Sequence, residues 1–231
     1  MQESTGMAQG DMAAFEQLVT ARRSIRAFLP RAVEPAVLER IFLAAQRAPS
    51  NCNTQPWSVH VASGGTLAAL RKALPEAFAV GDLSLDYPYD GTYPGVFRER
   101  QHAAAQALYT AAGIARSDRE GRDTQFRQNF RFFDAPHVAF LFLPEVFGLR
   151  EAADVGMYAQ NLMLAITAHG LGSCPQTSLG FLAEPVREIL GVEAGLKLLF
   201  GISFGYPDWS APVNECQTTR AELSTVVTFH Q

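Results

Sequence analysis

A chain of 231 residues with 48% hydrophobic and 18% charged content is long enough for one large domain, and so little charge implies surface buried between subunits. Its net charge of −4 excludes the basic face that nucleic-acid binders carry. Three widely spaced cysteines (Cys52, Cys174, Cys216) exclude a disulfide framework or a zinc site, and the scattered histidines offer no structural metal.

Residues 1–12 lack the basic and apolar regions of a signal peptide. The longest fully apolar run, residues 138–143, is too short to cross a bilayer, so the reading is a soluble, cytoplasmic protein. Residues 1–10 are small and polar and read as a flexible N-terminus, and 11–231 as a single domain. From Asp11, a capable N-cap, Met12, Phe15, Leu18 and Val19 recur at helical spacing. The helix runs into Arg22-Arg23-Ser24-Ile25-Arg26. Cations suit a solvated helix end, but three arginines and a serine in five residues also suit a phosphate, whose oxygens match guanidinium forks.

Pro35 opens a second helix, with Val37, Leu38, Ile41, Phe42 and Ala45 on one face, and Pro49 ends it. Then come Pro49-Ser50-Asn51-Cys52-Asn53-Thr54-Gln55-Pro56-Trp57, whose hydroxyl and carboxamide groups can read the edge of a planar heterocycle. Phosphate at one cluster and heteroaromatic edge at the other describe a mononucleotide-like cofactor. Residues 57–62 alternate as a strand, Gly64-Gly65 reads as a turn, and 67–74 as a short helix.

Residues 75–97 read as a long loop rich in proline, glycine and tyrosine, of the kind that often carries function. A helix follows over 97–112. A further helix, capped by Ser117-Asp118, aligns Phe126, Phe130 and Phe133. Its arginines make either a solvated face or an aromatic lid that draws in an anionic substrate or the nicotinamide donor. Residues 137–143 predict a buried strand, and 151–169 a long buried helix ended by Gly170. Gly172-Ser173-Cys174-Pro175-Gln176-Thr177-Ser178 suits either a plain turn or close approach of backbone N–H groups to a ligand. A helix over 182–190, a strand over 196–206, an irregular stretch and an unpaired terminal strand over 225–230 complete the chain.

Arg-Arg-Ser-x-Arg, Pro-Ser-x-x-Asn-x-Gln-Pro-Trp, Gly-Leu-Gly-Ser-Cys-Pro-Gln-Thr and Phe-Gly-Tyr-Pro, in this order and with a late arginine, resemble the nitroreductase family of flavoproteins. Leu108-Tyr109, Gly113-Ile114-Ala115-Arg116 and residues 129–136 resemble its nitrobenzoate-reductase branch. The resemblance implies an α+β fold, with a mainly antiparallel central sheet surrounded by helices, in an intertwined homodimer. It implies FMN as cofactor and NADH or NADPH as electron donor. By position, Arg22, Arg23, Ser24 and Arg220 would hold the phosphate and ribityl chain, and Arg26 would sit near N1–O2 of the ring. Pro49, Ser50, Asn51, Asn53 and Gln55 would reach the cofactor of the other subunit. Pro175, Gln176, Thr177 and Ser178 would line the opposite side, with the Thr177 backbone near N5. Two departures from the family pattern are Cys52 and Gln217, the latter standing where an arginine or lysine is frequent.

The implied reaction is reduction of nitroaromatic or quinone acceptors by a ping-pong hydride mechanism, nitro to hydroxylamine, since the cofactor carries the chemistry. No triad, paired carboxylates or cysteine–histidine set stands out, and nothing near Cys52 supplies a base. Reductive dehalogenation, substrate dehydrogenation, flavin destruction and non-catalytic FMN binding remain alternatives on the same scaffold. In this scheme residues 75–133 form a lid-like insertion and 207–231 a C-terminal arm.

Overall fold

The computed structural model describes residues 9–231. Its centre is strand β2 (His137–Pro144), buried on both faces except at its last residue. That burial explains the unbroken apolar run, because a strand covered on two sides has no solvent face to alternate toward. β2 pairs antiparallel with β1 (Ser58–Ser63) on one side and β4 (Leu196–Gly205) on the other, and β3 (Gly172–Gln176) closes the far edge. The order β1-β2-β4-β3 makes a four-stranded antiparallel sheet.

The pleat of β2 divides the interior in two. Ala139, Leu141 and Leu143 face a core built with Ile41 and Ala45 of α2 (Pro35–Ala45) and Val155, Tyr158, Leu162 and Ile166 of α6 (Leu149–Ala168). Val138, Phe140 and Phe142 face the other core, with Leu67, Leu70 and Leu74 of α3 (Gly64–Val80) and Val186 of α7 (Ala183–Leu190). Two helical layers thus clasp one sheet, the α+β arrangement expected. Helix α1 (Gln9–Ala21) lies against α6, while α4 (Gly95–Ala111) and α5 (Arg119–Arg127) stand outside the cores without a buried residue.

Several local expectations are corrected. Helix α1 starts at Gln9, so Asp11 sits in its first turn; residues 1–8 lie outside the described part. Gly64 and Gly65 are the start of α3, not a turn, and α3 passes through Pro75 to Val80. The loop is therefore shorter than 75–97 and is tied down. Asp86, nearly buried, pairs with Arg187 of α7 and accepts the Leu198 N–H at 2.7 Å. The helix expected through Phe133 stops at Arg127, and a 3₁₀ segment follows in which Phe132, Phe133 and Asp134 adopt φ of 61°, 53° and 60°. The strand expected over 225–230 is not formed within the protomer, where no strand edge pairs with it, and Val226 and Phe229 are 62% and 78% exposed. Helix α6 buries one stripe rather than most of its surface; Met157 and Gln160 are exposed.

Candidate active site

The arginine segment does not dangle from α1. Ile25 is 2% exposed and donates its N–H to Ser173 O at 2.9 Å, in a parallel bridge between Ser24 and Ser173. Ile25, Phe28 and Cys174 join Phe133 and Ala135 in a small apolar cluster. Gly172 permits this approach, since a Cβ there would lie 2.5 Å from Ile25 Cγ1. Behind Arg26, buried Asn214 accepts the Arg26 N–H at 2.7 Å and donates to Ala27 O and Asp208 O at 2.9 and 2.8 Å. Segment 24–28 is thus pinned to the end of the sheet by alternate apolar and backbone contacts, leaving the guanidinium groups between them.

Among the described residues no carboxylate forms an ion pair with Arg22, Arg23, Arg26 or Arg220. Burial, and then the like charge of Arg220, push the Arg22 guanidinium below its usual range. Two facing cations lose energy by that approach, and a dianionic phosphate between them would recover it. The Arg23 guanidinium lies 4.7 Å over the Trp209 ring. Nearby, the Ser173 hydroxyl is buried without a hydrogen-bond partner, as is that of Ser178. Buried hydroxyls so left are uncommon and call for a ligand or water. The donor set fits a phosphorylated polyol: guanidinium forks, unused hydroxyls and free charge.

Cys174, two residues along β3 from Gly172, is driven by burial above the usual thiol range. It is an apolar filler here, not a nucleophile. Cys52 is exposed with only Asn51 Oδ1 within reach, at 3.7 Å.

The residues 172–178 expected as a turn are instead edge strand β3 followed by a 3₁₀ turn at Thr177–Phe181. Pro175 is tolerated because its strand is an edge, and it is exposed, as is Thr177. Gln176 is different. Its side chain is 2% exposed and turned inward, donating to Asn129 O at 2.9 Å and accepting from Ser203 Oγ. Arg26 lines a small cavity of about 50 Å³ with Leu108, Tyr109, Gln125, Phe126, Asn129 and Phe133. Phe126 of α5 and Phe133 of the following 3₁₀ segment thus line the same cavity as Arg26.

The second cluster lies apart: among the described residues no hydrogen bond or ion pair joins residues 49–55 to the arginine segment. Pro49, Asn51, Asn53 and Gln55 are exposed. Cys52, Asn53 and Gln55 have φ of 50°, 55° and 48°. Ser50 Oγ accepts the Gln55 N–H at 2.9 Å, and Asp154 of α6, 4% exposed, accepts the Asn51 N–H at 3.1 Å. Beside it, Gln55, Trp57, Tyr158, Phe42, Gln46, Val59 and Val61 line an open cleft of about 390 Å³. Burial pushes the Tyr158 phenol up to about 12. Asp154 and Asn214 are supports that sequence spacing did not single out.

The fold and this pair of clusters define an α+β scaffold with a candidate anion site, and comparison with known proteins narrows it. The Nitroreductase family model matches residues 19–206. A nitroreductase NfnB of Mycolicibacterium smegmatis is 46% identical over 217 residues, covering 94% of this chain and 92% of that protein. A 4-nitrobenzoate reductase of Pseudomonas putida is 33% identical over 210 residues, covering 89% and 91%. The solved FMN-dependent nitroreductase NfnB from Mycobacterium smegmatis in complex with NADPH has a TM-score of 0.92 at 46% identity, with 95% and 99% of the two chains covered. An FMN and NADPH-dependent NfnB from sphigopyxis sp. strain HMH follows at 0.88 and 38%, covering 94% and 98%. The chain belongs to the nitroreductase family.

Proposed function

We propose that this protein is an FMN-dependent oxidoreductase that uses NADPH to reduce small nitroaromatic compounds. The observation that carries the reading is the Arg22–Arg220 pair, which forms no ion pair with an acid among the described residues, near the unpartnered Ser173 hydroxyl. Arg22, Ser24, Ser173 and Arg220 would hold the phosphate end, with Arg23 braced on Trp209. Arg26 would face the ring, where its charge favours the extra electron density of the reduced cofactor. Ser178 and the Thr177 backbone would border the other side. The bound flavin supplies the two-electron exchange between nicotinamide and acceptor.

The cycle is ping-pong: the nicotinamide and then the acceptor would use the same face of the flavin in turn. Reduction of a nitro group to a hydroxylamine takes four electrons and releases one water, so two NADPH are consumed per acceptor. A homodimer completes the site. Supporting it are exposed Met12, Phe15 and Leu43 on α1 and α2, Met157 on α6, and Val226 and Phe229 on an arm with no ladder in its own protomer. In that assembly residues 49–55 reach the partner's cofactor, 207–231 act as the exchanged arm, and 75–133 as a cover over the site. No helix among the described residues is long and apolar enough to cross a membrane. The unpaired cysteines and a nicotinamide donor support a cytoplasmic location.

The test is direct. Purified protein is expected to be yellow, release FMN on denaturation, bleach anaerobically with NADPH and recolour with 4-nitrobenzoate. Colourless protein that takes up no FMN would refute the reading. Flavin that bleaches with NADPH but reoxidises only with quinones or halogenated phenols would leave the cofactor and change the reaction.

A further inference from the structure

A directional row of hydrogen bonds runs from the sheet to the wall of the cavity beside Arg26. Ser203 of β4 is fully buried and donates its hydroxyl to Gln176 Oε1. Gln176 of β3 sends its Nε2 the other way, to Asn129 O at 2.9 Å and Asn129 Oδ1 at 3.2 Å. Asn129 in turn donates its Nδ2 to Phe126 O at 2.8 Å, at the end of α5. Each carboxamide uses its oxygen on one side and its nitrogen on the other, so neither can rotate by half a turn without facing like against like. The row ends on Phe126 and Asn129, which with Phe133 line the same cavity as Arg26.

That wall needs holding. Phe132, Phe133 and Asp134 are three successive left-handed residues, a conformation that costs a side-chain-bearing residue about 1–2 kcal/mol. Arg71 grips the segment from α3, donating to Ala135 O at 2.9 Å and Arg131 O at 3.3 Å. Helix α5 itself buries no residue, so its position depends on such ties. Gln176 supplies the tie from the sheet.

We infer that Gln176 is a positioning residue: acting through Asn129, it fixes the Phe126–Asn129–Phe133 wall of the cavity that Arg26 also lines and thereby sets the fit of the aromatic acceptor. The inference rests on the reading that Arg26 faces the cofactor. It differs from a direct cofactor contact, because the Gln176 carboxamide is fully engaged within the protein.

The experiment uses the flavin-loaded enzyme with 4-nitrobenzoate as acceptor. Gln176→Glu keeps the shape and the acceptor for Ser203, loses both donated bonds and sets oxygen against oxygen at Asn129. Acceptor KM is expected to rise at least about fivefold, since one net hydrogen bond is worth about 1 kcal/mol and two are lost, with kcat within about twofold and FMN content unchanged. On an Asn129→Ala background the same substitution should raise KM by less than it does in the parent, because the side-chain part of the row is already cut while the bond to the backbone O of residue 129 remains to be lost. An unchanged KM, multiplicative effects in the double variant, or loss of FMN from Gln176→Glu would each overturn the inference. Should that variant not fold, Ser203→Ala, which removes only the hydroxyl at the far end of the row, should raise acceptor KM in the same sense with FMN retained. No change there would overturn it equally. Parent protein that holds no flavin would refute the proposed function itself, an outcome visible before any variant is made.

Discussion

Replacing Asp154 by alanine should loosen the grip on FMN without touching any residue that faces it. The Asp154 carboxylate is buried in α6 and accepts the Asn51 N–H at 3.1 Å. Among the described residues every other hydrogen bond of the turn is local: Asn53 N to Ser50 O, Thr54 N to Asn51 O, Cys52 Sγ to Asn51 Oδ1, Gln55 N to Ser50 Oγ and Gln55 Nε2 to Asn53 O. This one bond therefore anchors three left-handed residues, of which only asparagine is at ease there. A hydrogen bond to a charged group is worth about 1.5–3 kcal/mol. If the turn must hold its shape to meet the cofactor, that sum appears in the Kd for FMN as roughly a 10- to 150-fold loss. Asp154→Asn keeps an acceptor oxygen and should lose less than about fivefold. Apoprotein titrated with FMN by flavin fluorescence gives both numbers, with thermal melts run in parallel. A folded Asp154→Ala protein that binds FMN as tightly as the parent would refute the reasoning, for the turn would then hold itself.

Three further outcomes follow from the same geometry. Arg220→Ala should weaken FMN by about tenfold, the loss of one charge-assisted contact, and flatten the dependence of Kd on salt; an unchanged salt slope would count against a phosphate there. His137 accepts the Val33 N–H at 3.0 Å through Nε2, and burial lowers its pKa below the usual 6.5. The unfolded chain then binds the proton more readily, so its contribution to stability is full above about pH 6.5 and falls as pH drops through that value toward the folded one. His137→Gln should remove part of the fall in Tm between pH 7 and 5, the remainder including His60, which burial shifts in the same direction. Gly172→Ala should cost about 1–3 kcal/mol in denaturant melts and weaken FMN as well, because Ile25 must retreat and carry Arg22–Arg26 with it.

Much of this was legible from residue order alone. The patterns of α2, β1, β2, α7 and β4 are carried by apolar side chains facing one of two cores, and a local pattern suffices to see them. Strand β3 was not legible: Ser-Cys-Pro-Gln has no alternation, since the arginine segment covers one side and the turn at 128–134 receives Gln176 on the other. Pro75 hid the second half of α3, for proline commonly ends a helix. The same limit applies to the site. Both polar clusters announce themselves because each is contiguous in sequence. Their supports come from more than a hundred residues away, Asp154 to Asn51 and Asn214 to Arg26, and no spacing rule reaches that far. Gln176 was named from its motif as a neighbour of the cofactor, and only the fold shows Ser203 and Asn129 on either side of its carboxamide.

The three left-handed residues ahead of β2 also bear on how this enzyme could be remade. Randomising Phe132, Phe133 and Asp134 favours glycine and asparagine, which relieve the backbone, and every such gain empties the apolar seat that holds the rings at 0% and 4% exposure. A library built there selects for ease of folding and loses the shape it was meant to vary. Tyr109 and Gln125, on ordinary helical backbone across the same cavity, carry no such bias. Diversity in acceptor scope is better sought from that side, with the strained turn left as the fixed wall against which new side chains are tried.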